Sequence, residues 1–338
     1  MPTSRIDQRA SLRPTRRALL AGLASIGVAS AAGRLAAGPV EGLEILGAPT
    51  GASISLARAV DAGLLAAAAP NATFRLWHEP DELRAGVVSG RTRLFSTPTH
   101  LPANLANRGL PIKLLCLLGQ GHLYVVTANE SINAFKDLAG QPVLCFFRND
   151  MPDLVFRACA RIEGIDPDKD IKLTYVQTGM EAAQLLAAGK AESALLSEPA
   201  ATAAIMMAAR EGRNLRRAVS LQEVWAAHHG GVGFPMVGVA VQQSLIDEDP
   251  GIVAALAASL PAAKSWVLAN RAEAAALAEK DMAMRPQVFE KAIDYFNMEI
   301  VSAHDAKSQL ETFYQAILDL APDALGGKLP ADDFYLSL

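Results

Sequence analysis

Polar and charged side chains recur in this chain just after short apolar runs, where a strand would end and a helix begin. Thr50-Gly51-Ala52-Ser53 is the first such place and Ser96-Thr97-Pro98-Thr99-His100 the second. The unpaired amides of a helix start, with the hydroxyls of Thr50, Ser53, Ser96, Thr97 or Thr99 and the backbone of Gly51, can hold an anion or a polar ligand edge. Ser53 fits an ordinary helix cap equally well. Gln120, between Gly119 and Gly121, either reaches into a cleft that bulkier neighbours would close or completes a tight turn. Phe147-Arg148-Asn149-Asp150-Met151-Pro152 adds a guanidinium. Its planar fork matches a carboxylate, sulfonate or phosphate, unless Arg148 pairs with a surface carboxylate, and Asn149 or Asp150 caps the helix that follows. Glu198-Pro199 sets a carboxylate at another helix start, suited to an amine or amidine-like edge or to bracing a hinge. Phe234-Pro235-Met236 offers an apolar wall, with Trp77 and Trp225 as further stacking candidates, though aromatics beside apolar strands more often belong to the core.

Other chemistries find little support. His228 and His229 are adjacent, so on regular structure they point apart, and no cysteine or carboxylate stands at a ligand spacing. Neither a metal nor a cofactor is expected. Ser197 lacks the Gly-x-Ser-x-Gly elbow of a nucleophilic serine, and no cysteine has an evident histidine partner, so the chain does not read as an enzyme. Cys145 and Cys159 fall on a strand and the helix after it, open to pairing after export but more in keeping with buried thiols.

The whole chain sets the setting for these loops. Its 338 residues are 51% hydrophobic and 20% charged, with 31 Lys and Arg against 35 Asp and Glu, a globular composition of two-domain size with no basic excess for nucleic acid. Arg5, Arg9, Arg13, Arg16 and Arg17 precede an uncharged apolar run from Ala18 to Ala32 that contains Ala29-Ser30-Ala31. Residues 1–31 therefore read as a cleavable export signal, and Arg16-Arg17-Ala18-Leu19-Leu20 as its twin-arginine form. Removing its five arginines and one aspartate leaves 26 basic and 34 acidic residues, a net charge of −8. No later segment reads as uninterrupted enough to span a bilayer, and no cysteine near the cleavage site invites a lipid anchor, so a free periplasmic protein is expected.

Strand and helix patterns alternate behind the signal. Glu44–Gly47, Thr73–Trp77 and Arg93–Phe95 read as strands, with helices from Ser53 and from Pro80 between them. Ile112–Leu118 and Leu123–Thr127 are two further strands around a turn-like Gly119-Gln120-Gly121-His122. The same grammar restarts at Val143 and runs to Arg210; Met236–Val241 is another strand, and from Asp249 the chain reads as helical. This is an α/β chain of two doubly wound domains. If Met236–Val241 returns to the first sheet, the chain crosses twice, near 127–131 and near 231–234, giving a two-strand hinge. The expected division is 40–128 with 234–338 as one domain and 129–233 as the other. Two sheet edges facing across a hinge form a closable cleft.

Leu46 to Gly51 with Ala57 to Gly63, Pro80 to Gly86, and Leu195-Leu196-Ser197-Glu198-Pro199-Ala200-Ala201-Thr202 resemble the nitrate/sulfonate/taurine-type substrate-binding proteins of ABC importers. The pyrimidine-precursor binding proteins of thiamine salvage are close relatives of these. The likeness runs from about Gly42 to about Val241. It implies a type II periplasmic binding-protein fold, a monomer without catalysis, and delivery of a small anionic, zwitterionic or heteroaromatic solute to a permease and its ATPase. Relatives often have a Gly/Ser-rich turn where this chain has Phe147 to Asp150, which puts a small oxyanion ligand in doubt. Two other readings stand beside it: an enzyme of pyrimidine-precursor or cofactor biosynthesis on the same fold, and a sensory binding module.

Overall fold

The computed structural model describes residue 40 and residues 42–337; the expected export signal, 1–31, lies outside the described residues. The first lobe begins β1 (Glu44–Gly47), α1 (Ile54–Asp61), β2 (Thr73–Leu76), α2 (Pro80–Val88), β3 (Leu94–Pro98), α3 (His100–Asn107) and β4 (Ile112–Gln120). The second lobe is β5 (Leu123–Thr127), β6 (Pro142–Phe146), α4 (Met151–Ile162), β7 (Lys172–Val176), α5 (Gly179–Ala187), β8 (Ser193–Ser197), α6 (Ala200–Arg210), β9 (Arg216–Ser220) and α7 (Leu221–His228). The chain then returns as β10 (Pro235–Gln242), α8 (Gln243–Glu248), α9 (Pro250–Ala269), α10 (Arg271–Met282), α11 (Pro286–Ala292), β11 (Met298–Ser302) and α12 (Lys307–Leu320).

These elements build two mixed sheets, in the orders β11-β4-β10-β3-β1-β2 and β7-β6-β8-β5-β9. Pairing is parallel through β2-β1-β3 and β7-β6-β8, and antiparallel where β10, β4, β11, β5 and β9 join. β10 is buried along its whole length between two neighbours, which is why Pro235–Gln242 reads as an unbroken apolar run rather than an alternating one.

Three sequence expectations are corrected by this topology. β5 belongs to the second sheet, so the first crossing is Gly121-His122 rather than 127–131, and 123–128 joins the second lobe. Gly119 and Gln120 are not a turn but the end of β4, where Gly119 opposes both Val237 and Met298. The tail is not wholly helical either, because β11 closes the edge of the first sheet.

A fourth expectation fails on length and composition. α9 spans 20 residues and is apolar enough to cross a membrane. Here Ile252, Leu256, Leu260, Ala263 and Val267 make its buried face, which packs on α1, while Lys264 interrupts the other side.

The two crossing segments are joined to one another. Gly121 N donates to Phe234 O at 2.9 Å, and Asn297 Nδ2 donates to Gly121 O at 2.5 Å. Under them Phe234 meets Trp225 of the second lobe edge-on and stacks on Phe313 of α12, with centroids 6.2 and 5.7 Å away. The hinge is therefore a short hydrogen-bonded ribbon on an aromatic cluster.

Candidate ligand-binding site

The carboxyl ends of β1, β3, β6 and β8 face a cavity of about 310 Å³ with walls from both lobes. The first lobe contributes Thr50, Trp77, Leu83, Thr97, Leu101 and Met236, and the second Phe146, Phe147, Asp150, Met151, Met180 and Ser197. Most of that surface is hydrocarbon, sulfur or aromatic ring. The Trp77 indole is fixed by Nε1 donating to Ser96 O at 3.0 Å, so its ring is a rigid wall.

Asp150 is the polar centre of the second-lobe wall. Its Oδ1 accepts from Met151 N at 2.7 Å, capping α4, and lies 3.1 Å from His100 Nε2; its Oδ2 lies 3.1 Å from Arg84 Nη2. Arg84 on α2 and His100 on α3 belong to the first lobe, so this carboxylate ties the lobes together across the cleft. Burial pushes its carboxyl up, but His100, the Met151 amide and Arg84 together hold it well below the usual carboxylate range. It is ionised at neutral pH.

The turn that aims Asp150 is costly for its residue types. Phe147 (φ 50°) and Asn149 (φ 62°) both take the left-handed conformation that glycine adopts freely. Asp153, fully buried, accepts Asn149 N at 2.8 Å while also accepting from Arg157 Nε at 2.9 Å and the Tyr175 hydroxyl at 2.7 Å. That anchor holds the turn, directing Phe147 into the cavity and Arg148 outward over the Tyr175 ring, 5.2 Å from its centroid.

Two hydroxyls complete the wall. Thr50 Oγ1 and Thr97 Oγ1 are both buried without a hydrogen-bond partner. A buried hydroxyl left unpaired costs roughly 1–3 kcal/mol, and both residues belong to the cavity lining.

Of the residues singled out from the sequence, Thr50, Thr97 and Asp150 line the cavity, and Trp77 does so as well. The structure places the others elsewhere. Gly51 is backed by Phe296, a ring that leaves no room for a side chain. Ser53 and Ser96 are fully buried and bond each other at 3.1 Å, with Ser96 Oγ accepting Ala48 N at 2.8 Å, so they pin the β1 loop to β3. Thr99 Oγ1 donates to Pro235 O at 2.7 Å, within the sheet. Gln120 bonds Glu299 and Gln309 beside the hinge. Phe234 lies in the aromatic cluster under the crossing. Arg148 stands at the outer mouth, and Asn149 is exposed.

Glu198 turns away from the cavity into the second lobe. Arg217 Nε donates to its Oε1 at 2.7 Å, and Thr202 Oγ1 and Thr202 N donate to Oε2 at 2.8 and 3.2 Å. Burial raises its carboxyl, opposed by the Arg217 guanidinium. Its partner is 19 residues away on β9, which no local motif announces.

The remaining candidates are structural. His228 and His229 each place Nδ1 against the carbonyl four residues earlier, and His229 stacks on Trp225 with centroids 3.8 Å apart. Among the described residues no group of three or more His, Cys, Asp or Glu side chains is placed to hold a metal. Cys116, Cys145 and Cys159 are all free and buried, and burial pushes Cys116 up to about 12 and the other two higher still.

Sequence reasoning found Met236 but missed the rest of the apolar wall, because Phe146, Phe147, Met151 and Met180 sit at strand and helix ends. Thr178 carried a usable signal. Thr178 and Glu181 form a capping pair, with Glu181 N donating to Thr178 Oγ1 at 3.1 Å, which marks a helix start at the cleft.

Comparison with known proteins agrees with this architecture. Residues 119–280 match the model of the NMT1-like family. No curated protein matches the sequence significantly. The structure is similar to an ABC transporter protein from Parabacteroides distasonis, at 21% identity and TM-score 0.71 over 87% of this chain and 98% of that one. It is similar to the periplasmic aliphatic sulphonate binding protein SsuA of Escherichia coli, at 16% identity and TM-score 0.66 over 88% and 99%. It is also similar to the periplasmic nitrate-binding protein NrtA of Synechocystis PCC 6803, at 13% identity and TM-score 0.64 over 88% and 87%. The fold is that of the type II periplasmic binding proteins, as the resemblance read from the sequence implied.

Proposed function

We propose that this chain is the solute-binding component of an ABC importer, taking one small organic solute into the cleft between its lobes and passing it to a membrane permease and its ATPase. The carrying observation is the cavity itself: its walls come from both lobes, two crossing segments join those lobes, and two buried hydroxyls in it have no partner. The solute classes in view are the anionic, zwitterionic and heteroaromatic ones that the sequence resemblance implies. Export by the twin-arginine route, a free monomer in the periplasm, and α9 packed on the protein rather than inserted in lipid belong to the same reading. So does a division into 42–120 with 235–337 and 123–228.

Exported protein recovered from the periplasm and sprayed under native conditions tests it. The expected result is a one-to-one complex with a small molecule, whose removal lowers the melting temperature and whose return restores it in proportion to RT ln(1 + [L]/Kd), with the molecule chemically unchanged. Conversion of that molecule by the purified protein would overturn the reading in favour of an enzyme on the same fold.

A further inference from the structure

The geometry points to a solute with no net negative charge: an uncharged or cationic organic molecule with an apolar body, placed so that Asp150 accepts a hydrogen bond from it. This rests on the proposed solute-binding reading of the cleft and narrows it. Among the described residues lining the cavity there is one carboxylate, Asp150, and neither lysine nor arginine; the other ionisable side chain of the lining is the exposed His78. The two nearby guanidiniums stand outside that lining. Arg84 is bound to Asp150 and to Asp81, and Arg148 lies at the outer mouth over Tyr175.

Helix starts are the other source of positive field, and those of the second lobe are already answered by the protein. Asp150 caps α4, Thr178 caps α5, and Glu198 accepts from Thr202 N in the first turn of α6. None of these three starts is left open for an anion, and Asp150, the one acceptor of the three that is a carboxylate in the lining, carries an anion's own sign.

What the cavity offers instead suits an apolar frame with a polar edge. Trp77, Leu83, Leu101, Phe147, Met180 and Met236 enclose the frame. Thr50 Oγ1 and Thr97 Oγ1 can each donate to or accept from an uncharged polar group, and Asp150 Oδ2, with only Arg84 as protein donor, has a lone pair left for a ligand N–H.

One ring in three charge states separates the cases: benzylammonium, benzamide and benzenesulfonate, with nitrate as the small oxyanion, titrated calorimetrically into the full exported chain stripped of carried solute. Benzamide and benzylammonium are expected to bind at least ten-fold more tightly than benzenesulfonate or nitrate. Asp150→Asn keeps a good helix cap and should narrow that gap ten-fold or more. Thr97→Val should weaken benzamide while preserving the charge order, and serves if the Asp150 variant does not fold. The exact mass of the solute carried from the periplasm gives its charge independently. Tighter binding of benzenesulfonate or nitrate, an anionic carried solute, or an unchanged charge order in folded Asp150→Asn overturns this inference while leaving the importer reading intact. Absence of any carried solute together with no binding of all four probes overturns the importer reading itself.

Discussion

His122 should make the hinge acid-sensitive, by an amount that the structure sets. It is the second residue of the first crossing, 1% exposed, with Nδ1 3.2 Å from Gln120 O and Nε2 buried without a partner. Burial pushes its imidazole from the ordinary 6.5 down to about 4, with the Gln120 contact opposing. Between those values the unfolded chain binds a proton that the folded chain refuses, so stability rises with pH across this window and falls as pH drops from 6.5 toward 4. Going from pH 7 to pH 5, the group removes about 2 kcal/mol. For a chain of roughly 300 folded residues with an unfolding entropy of about 2.1 cal/mol/K per residue, that is a fall of about 3 °C in melting temperature. The assay is thermal unfolding followed by circular dichroism at pH 7 and pH 5, for the wild type and for His122→Leu. The variant loses a constant increment at both pH values, so the change between them isolates the imidazole from every other titrating group. The wild type should lose about 2 kcal/mol more than the variant on acidification. Equal losses would refute a buried neutral imidazole at this position.

Gly51→Val should destabilise the chain by about 1–3 kcal/mol, since even a Cβ there stands 2.3 Å from the Phe296 ring and that ring is itself fully buried; urea unfolding reads it as a lower midpoint at unchanged slope. Glu198→Gln should cost about 3 kcal/mol by leaving Arg217 without its counter-charge, and should leave the probe charge order at the cleft unaltered, because Glu198 faces away from it. A large change in that order in the Glu198 variant would mean that its carboxylate reaches the solute after all.

The alternation of strands and helices was legible because each apolar run and each cap obeys local rules. Glu44–Gly47, Leu123–Thr127 and Ala200–Arg210 have the same limits in sequence and structure. Which sheet a strand joins is a different kind of information. Ile112–Gln120 and Leu123–Thr127 look like the arms of one hairpin, yet they part at Gly121 because each finds better partners elsewhere, β10 and β11 for one and β8 and β9 for the other. Loops at strand ends were likewise legible as places, but not as directions. Thr50 and Ser53 are three residues apart in one loop, and one faces the cavity while the other bonds Ser96 inside the core. Side-chain direction depends on partners such as Ser96, Arg217 and Asp153 that are distant in sequence or topology, so chemistry assigned by residue type alone selects too many candidates.

Asp150 shows how tightly closure and selectivity are bound together in this cleft. One carboxylate caps a helix of the second lobe, receives two side chains of the first, and fills the wall that the solute must touch. The Arg84 half of the tie is 39% exposed on the arginine side, so its contribution to closure is about 1 kcal/mol or less. A solute present at 100 times its dissociation constant supplies about 2.7 kcal/mol. The solute therefore governs closure and the tie trims it. A cation or N–H donor that bonds Asp150 leaves Arg84 and His100 in place and adds to the tie, whereas an anion must either sit against that charge or draw Arg84 from it, loosening the contact that holds the lobes. On the proposed reading, selectivity against anions thus follows from the same bonds that draw the lobes together.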